Sequence, residues 1–439
     1  MHDGSPALTL TLHRAIAEIG ADEWDACAGI GNPFVSHAFL AAVEDSGSAG
    51  ARTGWLPQHA ALRDAAGRLV AAAPMYAKSH SYGEYVFDHG WAHAFERAGG
   101  RYYPKLQVAV PFSPVPGARL LLHPEGSLSP SVLGRALAQA CDELDLSSVH
   151  VTFCTEGEAT ALAACGWLHR IGMQFHWENA GYLTFDDFLG DLASRKRKTI
   201  RRERRDANAA GLEFVVLRGP EIGRRDWSAF YEFYTSTVDR KWGSAYLTKQ
   251  FFPLLGERLG ERVVLMMARQ GGRAVAGALN LVGKDTLYGR NWGCRGDFPF
   301  LHFELCYYRA IDFAIAHGLQ RVEAGAQGEH KIQRGYRPVA THSAHWIVHS
   351  GLRRAVADFL AEERPALRAE MAALDQFSPF RKDGGAEQPC STERGRPPAV
   401  IGRGLRSARR RPGCAPCRPP RPARSPPSRN RRRRPRCAA

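Results

Sequence analysis

Two short segments of this chain repeat one pattern, and that repetition constrains the fold more than any other feature. Residues 67–73 read G-R-L-V-A-A-A, and residues 272–278 read G-R-A-V-A-G-A. Each follows a short apolar run and continues into another, as in a hairpin that turns at a glycine-containing loop. A helix pattern and a short strand come later in both halves, at 130–145 and 149–154 and again at 301–317 and 320–324. The sequence therefore predicts a duplicated mixed α/β unit, with a boundary near residues 177–181.

The second half predicts its sheet in more detail. Residues 263–268, 274–282 and 286–292 have the pattern of an antiparallel meander, and the helix at 301–317 is apolar on one face. Because a helical crossover returns the chain in the same direction, the strand at 320–324 must run parallel to a neighbour. The residues that follow it then lie at a strand's carboxyl end, where ligands commonly bind in α/β sheets.

The segment at that strand end, residues 325–338, reads G-A-Q-G-E-H-K-I-Q-R-G-Y-R-P. Its three glycines permit tight turns and close approach of a ligand. Its carboxylate, imidazole, ammonium and guanidinium groups are the types that supply a base, a proton donor and anion contacts. The functional candidates in this turn are Gln327, Gly328, Glu329, His330, Lys331, Arg334 and Tyr336. The alternative interpretation is a solvated polar connection.

A basic segment opens the second half. Residues 194–205 read S-R-K-R-K-T-I-R-R-E-R-R, within an uninterrupted helical pattern from 188 to 210 that ends at Gly211. A solvated helix is the common outcome for such a charge run. The functional interpretation is a groove for a polyanion such as a nucleotide diphosphate, coenzyme A or tRNA. The candidate phosphate contacts are Arg195, Lys196, Lys198 and Arg201.

The net charge of +15 comes almost entirely from the end of the chain. Residues 384–439 hold 16 of the 59 basic residues and 2 of the 44 acidic ones, which leaves 43 basic and 42 acidic groups in residues 1–383. The overall charge therefore does not indicate what the body binds. The tail has too few large apolar residues to offset its ordering entropy, so we expect it to be disordered. It either binds nucleic acid or anionic lipid, or is the out-of-frame reading of a GC-rich gene.

Six cysteines in the body, at positions 27, 141, 154, 165, 294 and 306, lack metal-ligand spacing and predict reduced core thiols. No apolar stretch is long enough to span a membrane, and the first residues lack an export signature, so we expect a cytoplasmic protein. His342 and His345 would point to opposite faces of a strand. With no carboxylate or thiol to complete a set, we predict no metal site.

The residues also resemble a known family. Trp292, the H-F-E run at 302–304, the tyrosine pair at 307–308 and the G-A-Q-G-E-H-K run at 325–331 resemble a bacterial family of N-acyltransferases labelled for peptidoglycan biosynthesis or recognition. That family is similar to the Fem-type peptidyltransferases. The resemblance extends over nearly all of residues 8–383 and includes Y-G-E-Y at 82–85, Asp88, Y-Y-P-K at 102–105 and P-F-S-P at 111–114.

The resemblance implies an α/β fold of two tandem GNAT-like acyltransferase domains with one substrate cleft between them. We expect an N-terminal domain at 8–178, a C-terminal domain at 179–383 with the basic helix, and the disordered tail at 384–439. It also implies transfer of an acyl or aminoacyl group to an amine, with acyl-coenzyme A or aminoacyl-tRNA as co-substrate and no tightly bound cofactor. Residues 293–300 lack the usual glycine-rich pyrophosphate loop, which argues against coenzyme A.

For such a transfer, Glu329 or His330 would take the proton of the amine, and Tyr336 would protonate the leaving atom. Lys331 or Arg334 would hold an anionic part of a substrate. Other predicted substrate contacts are Trp292, His302, Glu304, Asp88 and Lys105. Two further functions remain open: a non-catalytic recognition module for a peptidoglycan precursor, and a nucleic-acid-binding protein that acts through its basic helix and tail.

Overall fold

The computed structural model describes residues 8–240, 245–325 and 328–381. The tail at 384–439 lies outside these ranges, so the disorder predicted for it stays a prediction. No helix within the described ranges is long and apolar enough to cross a membrane.

The strands of the first half are β1 Thr9–His13, β2 Trp55–Pro57, β3 His59–Arg63, β4 Leu69–Ala73, β5 Met75–Lys78, β6 Lys105–Val108, β7 Leu121–Leu122, β8 Ser148–Cys154 and β9 Leu168–Glu178. Its helices are α1 Ala21–Ala28, α2 His37–Asp45, α3 His89–Arg97, α4 Pro130–Glu143 and α5 Glu156–Ala164.

The second half begins with helices and then forms strands. Its helices are α6 Phe185–Asp191, α7 Ser194–Asn208, α8 Arg224–Arg240, α9 Phe251–Leu259, α10 Leu301–Phe303, α11 Arg309–Ala316 and α12 Ser350–Asp375. Its strands are β10 Glu213–Arg218, β11 Val263–Gln270, β12 Arg273–Val282, β13 Thr286–Cys294, β14 Arg321–Glu323 and β15 Arg337–Ile347. The α/β fold class predicted from the sequence is confirmed.

The described strands form two sheets. A four-stranded sheet has the order β1-β3-β4-β7, and an eleven-stranded sheet has the order β10-β11-β12-β13-β14-β9-β15-β8-β6-β5-β2. Strand β15, late in the chain, lies between β9 and β8, and α12 packs on β9 and β15. The predicted domains at 8–178 and 179–383 therefore share one continuous sheet, and the described residues of both belong to one compact unit.

The duplicated pattern corresponds to equivalent structures. Strands β3 and β4 pair antiparallel, and so do β11 and β12, which confirms both predicted hairpins. In each half a helical crossover then leads to a parallel pair: β6 with β8 through α4, and β13 with β14 through α10 and α11. The strand predicted at 320–324 is therefore parallel to its neighbour, as expected.

Apolar side chains on both faces of the second-half strands form the core. On one face, Val264 and Leu287 pack with Leu305 of the following helical segment. On the other, Val263 and Leu281 belong to the same cluster as Phe34 of the first half. The two halves are thus joined by a shared apolar core as well as by a shared sheet.

Two predicted helices differ from the structure. The helix expected from 188 to 210 is interrupted at residues 192–193, because Leu192 forms a β-bridge with Phe380 and the Ala193 amide donates to Pro379 O at 2.9 Å. The helix expected at 301–317 contains a π-helical turn, Glu304–Tyr308, between α10 and α11. Such turns often occur at functional sites.

Candidate active site

The predicted glycine-rich turn folds as a short 3₁₀ helix, Glu329–Arg334, between Gly328 and Gly335. These glycines have φ values of +113° and +89°, which L side chains rarely adopt. A Cβ atom at Gly335 would also lie 2.7 Å from the ring of Phe188. The glycines therefore determine the path of the chain after β14. Gln327, also predicted to bind substrate, lies outside the described residues.

The two cations of this turn are buried and point into the protein. Lys331 Nζ donates to Gly325 O at 2.7 Å, and burial lowers its pKa to about 8. Arg334 Nη2 donates to both carboxylate oxygens of Glu203, at 2.9 and 3.0 Å. Its guanidinium carbon lies 3.4 Å from the centroid of the Phe303 ring. Arg334 thus has a carboxylate partner within the protein, whereas Lys331 donates to a neutral carbonyl.

Glu329 and His330 lie on the exposed side of the turn. His330 Nε2 is 2.8 Å from the hydroxyl oxygen of Tyr307, so one of the two groups donates the shared proton. Burial lowers the pKa of His330, with Arg334 and Lys331 adding to the effect, and the imidazole is neutral at pH 7. Burial raises the pKa of Tyr307, and the phenol keeps its proton. The pair therefore presents a neutral imidazole at the surface, hydrogen-bonded to a buried phenol.

Aromatic rings surround this pair. His302 lies 5.2 Å from Tyr307 and 5.1 Å from Trp292 at the end of β13, measured between ring centroids. The Tyr336 ring is 5.4 Å from Tyr307 and fully buried, and its hydroxyl has no hydrogen-bond partner in the described part of the chain. Trp292, His302 and Tyr336 therefore gather around Tyr307, the first residue of the tyrosine pair at 307–308.

The basic helix α7 packs against the turn. Lys196 donates to Gln333, and Glu203 accepts from Arg334 and from the hydroxyl of Tyr308. The two segments that the sequence analysis selected separately are therefore parts of one surface. Glu203 had not been selected, although it lies seven residues after Lys196 and thus on the same face of a helix.

The four predicted phosphate contacts on α7 differ in their surroundings. Arg195 and Lys198 are exposed. Lys196 contacts the turn, and Arg201 pairs with Asp186 at 2.9 Å. Arg195 and Lys198 are therefore the cations of this set best placed to meet an anionic ligand.

Glu304 was predicted to line the same cleft, but the structure places its carboxylate inside an ionic cluster. It is fully buried, with Arg204 Nε at 3.2 Å and Arg309 Nε at 3.1 Å. Arg204 also pairs with Asp312 at 2.6 Å. This carboxylate joins α7 to the helical segment after β13.

Asp88 and Lys105 belong to a buried network in the first half. Lys105 Nζ donates to Asp88 Oδ2, to Glu84 Oε2 at 2.8 Å and to Ser81 Oγ at 2.9 Å, so all three of its protons are used. The hydroxyl of Tyr102 donates to Asp88 at 2.7 Å. These contacts stabilise the segment between β5 and β6. The predicted role of both residues in substrate binding stays a prediction.

The two histidines considered for a metal site have different partners. His342 lies 3.0 Å from His169, and His345 lies 2.7 Å from His150, between ring nitrogens. In the described ranges no group of three or more histidine, cysteine, aspartate or glutamate side chains is arranged to hold a metal ion. Among the described residues, the six cysteines of the body form no disulfide bond.

A family comparison covers this whole arrangement. Residues 15–382 match the FemAB-like family, described as peptidoglycan biosynthesis/recognition. The chain belongs to the FemAB-like family. This match includes the turn, α7 and the first-half network, and it confirms the resemblance drawn from the motifs. A comparison with curated proteins found no match.

Several solved structures resemble this FemAB-like chain at low identity. One is the C-terminal domain of a putative lysylphosphatidylglycerol synthetase from Agrobacterium fabrum, at 10% identity over 77% of this chain and 96% of that chain, with a TM-score of 0.48. FemX matches at 12% identity over 77% and 98% of the two chains, with a TM-score of 0.48. A tandem GNAT protein from the clavulanic acid pathway matches at 11% identity over 78% and 98%, with a TM-score of 0.41.

Proposed function

We propose that this FemAB-like protein is an N-acyltransferase, which moves an acyl or aminoacyl group from an activated donor to an amine, and that the amine belongs to a cell-wall precursor. The observation that supports it most is the hydrogen bond between His330 and Tyr307 at the carboxyl end of β14, beside a basic helix. A proton-transfer pair next to cations suits a reaction whose donor is anionic.

The reaction needs a base for the amine, stabilisation of the oxyanion and a proton for the leaving atom. We assign the last role to Tyr307, with His330 resupplying the proton. Tyr336, predicted for it from the sequence, is fully buried with its ring 5.4 Å from that of Tyr307, and its role stays a prediction. Glu329 is exposed on the outer side of the turn, and its role as a base stays a prediction.

The donor is an acyl-coenzyme A or an aminoacyl-tRNA, bound as a co-substrate. Both carry phosphates, which Arg195 and Lys198 on the exposed side of α7 would meet. Lys331, buried beside the carbonyl of Gly325, has a pKa of about 8 and so changes its charge near neutral pH. It supplies a positive charge close to the reacting atoms when protonated.

A transfer assay tests the proposal. The full chain is incubated with acetyl-coenzyme A, or with a pool of charged tRNA, and with an amine pool that contains n-butylamine, lysine and a peptidoglycan precursor peptide. Mass spectrometry should then detect an N-acyl product that disappears with heat-treated protein. A protein that binds the precursor without forming a product would instead be a recognition module, and one that binds only tRNA would be a nucleic-acid-binding protein.

A further inference from the structure

One face of the large sheet is polar although it is buried. The strands concerned are neighbours, and their registers place the residues side by side: Gln107 opposite His150, Thr152 opposite Ser343, and Glu323 opposite His176. Each of these six side chains is at most 6% exposed. Burying a polar group costs free energy unless it is hydrogen-bonded, and Gln107 Nε2 donates to Thr152 Oγ1 at 2.8 Å.

Glu323 is the one carboxylate among these six residues, and Gln107 Oε1 is likewise a buried atom without a hydrogen-bond partner in the described part of the chain. Glu323 Oε1 lies 3.9 Å from Nδ1 of His176, too far for a hydrogen bond, and Glu323 Oε2 has no hydrogen-bond partner among the residues that the structure describes. Buried polar atoms are nearly always paired, so an unpaired carboxylate oxygen indicates a missing partner. In the ionised carboxylate this atom is an acceptor, so its partner there is a hydrogen-bond donor.

Glu323 also marks the point where two strands separate. Parallel pairing between β13 and β14 covers residues 286–288 and 321–323 only, and β13 then continues through residues 289–294. At Gly289 a Cβ atom would lie 3.2 Å from Glu323 O, so the absence of a side chain keeps this point open. The turn with His330 begins five residues after Glu323. The carboxylate and the His330–Tyr307 pair thus flank the same strand end.

The side-chain direction places them on opposite faces. Val322 packs in the core with Tyr307 and Tyr336, so its neighbour Glu323 projects to the other face. An acyl donor on the side of α7 and an amine on the side of Glu323 would meet where β13 and β14 separate.

The electrostatics suit proton transfer. Burial raises the pKa of Glu323 to about 8, against the opposing effects of Arg321, Arg290 and Arg119. Burial lowers the pKa of His176 to about 3, so this neighbour stays neutral. A carboxylate with a raised pKa takes a proton from an amine more readily than an ordinary one does.

We infer that Glu323 accepts the proton of the attacking amine. This inference rests on the proposed function. The amine nitrogen forms a bond to the acyl carbon, the bond from that carbon to the donor's sulfur or oxygen breaks, the amine proton passes to the Glu323 carboxylate, and the leaving atom takes a proton from Tyr307. No oxidation or reduction occurs.

Infrared difference spectroscopy tests this inference without turnover. A protonated carboxyl group absorbs at a different infrared frequency from a carboxylate. Burial raises the pKa of Glu323 to about 8 and that of Glu84 to about 7, so both contribute bands of the protonated group near neutral pH. Glu323→Gln and Glu84→Gln assign the two bands. At pH 7, n-butylamine should diminish the Glu323 band and leave the Glu84 band unchanged, while 1-butanol should alter neither. If n-butylamine leaves the intensity of the Glu323 band unchanged, the inference is overturned.

Turnover gives the second measurement. If the wild-type protein acetylates n-butylamine, its kcat should rise with pH to half its maximum near pH 8, where Glu323 loses its proton. Glu323→Gln should remove this dependence and lower kcat about 10²- to 10⁴-fold, whereas Glu362→Gln, at an exposed glutamate of α12, should keep both. A Glu323→Gln protein that keeps the wild-type kcat and pH dependence overturns the inference. Absence of turnover in the wild type would contradict the proposed function, and the infrared result would still decide whether the amine reaches Glu323.

Discussion

The two halves of this protein use their charged residues differently. In the first half, Lys78, Glu84, Asp88 and Lys105 are at most 3% exposed, and two lysines balance two carboxylates. In the second half, the 3₁₀ turn places one histidine at the surface and one lysine against a neutral carbonyl. Related architecture therefore yields a closed ionic network, shielded from solvent, in one half and an open site with a histidine at the surface in the other.

The largest expected effect is on the closed network. Lys105→Met leaves Glu84 and Asp88 without their main partner, and removing one member of a buried ion pair costs about 3–5 kcal/mol. Chemical denaturation should show this loss in the free energy of unfolding. Lys198→Met, on the exposed side of α7, is the matched control and should change stability by less than about 0.5 kcal/mol. Equal effects of both changes would remove the contrast between the halves.

The open site should respond in activity instead. His330→Gln removes the imidazole beside Tyr307 and should lower kcat about 10²-fold, the usual contribution of a positioned acid or base. The melting temperature should stay near that of the wild type, because the side chain is exposed. His93→Gln, an exposed histidine on α3, is the control for activity. A stable His330→Gln protein with full turnover would contradict the assigned role.

A third prediction concerns pH and Lys78. Burial lowers its pKa in the folded protein to about 7, while an unfolded lysine keeps its proton to about pH 10.4. Between these values the unfolded chain binds more protons, so Lys78 makes stability rise with pH, by at most about 1.4 kcal/mol per unit. Lys78→Met should flatten the rise between pH 7 and 10 in denaturation curves. An unchanged slope would show that other groups cause it.

The smallest expected effect is on donor binding. Replacing Arg195 and Lys198 together with glutamate should weaken an anionic donor about fivefold, measured as KM or Kd, with little change in kcat. The difference should shrink at high salt, since exposed charges are screened. An effect that persists at high salt would indicate a structural change in α7 instead.

Sequence patterns predicted the local structure well where turns and periodicity agree. The hairpin between β3 and β4, the meander of β11 to β13 and the parallel strand β14 are all confirmed. The break at Leu192 was missed, because it depends on a β-bridge to Phe380, 188 residues away. Local sequence holds no signal for such a contact.

The candidate site was predicted only in part, for the same reason. The glycines of the turn identified its position, because their backbone conformations are a local requirement. Tyr307 and Glu203 gained their roles from the packing of separate helices on the turn. Glu323 is a single charged residue at the end of a short strand, and only the sheet shows that it is buried.

The sequence by itself determined the elements and the repeated unit, because periodicity and turn residues act over a few positions. Tertiary structure alone decided that β15 crosses into the first half and that α7 meets the turn. It also decided which charged groups have a partner of opposite charge and which face the solvent. Burial and pairing set the free energy of a charged group, and both depend on residues far apart in the chain.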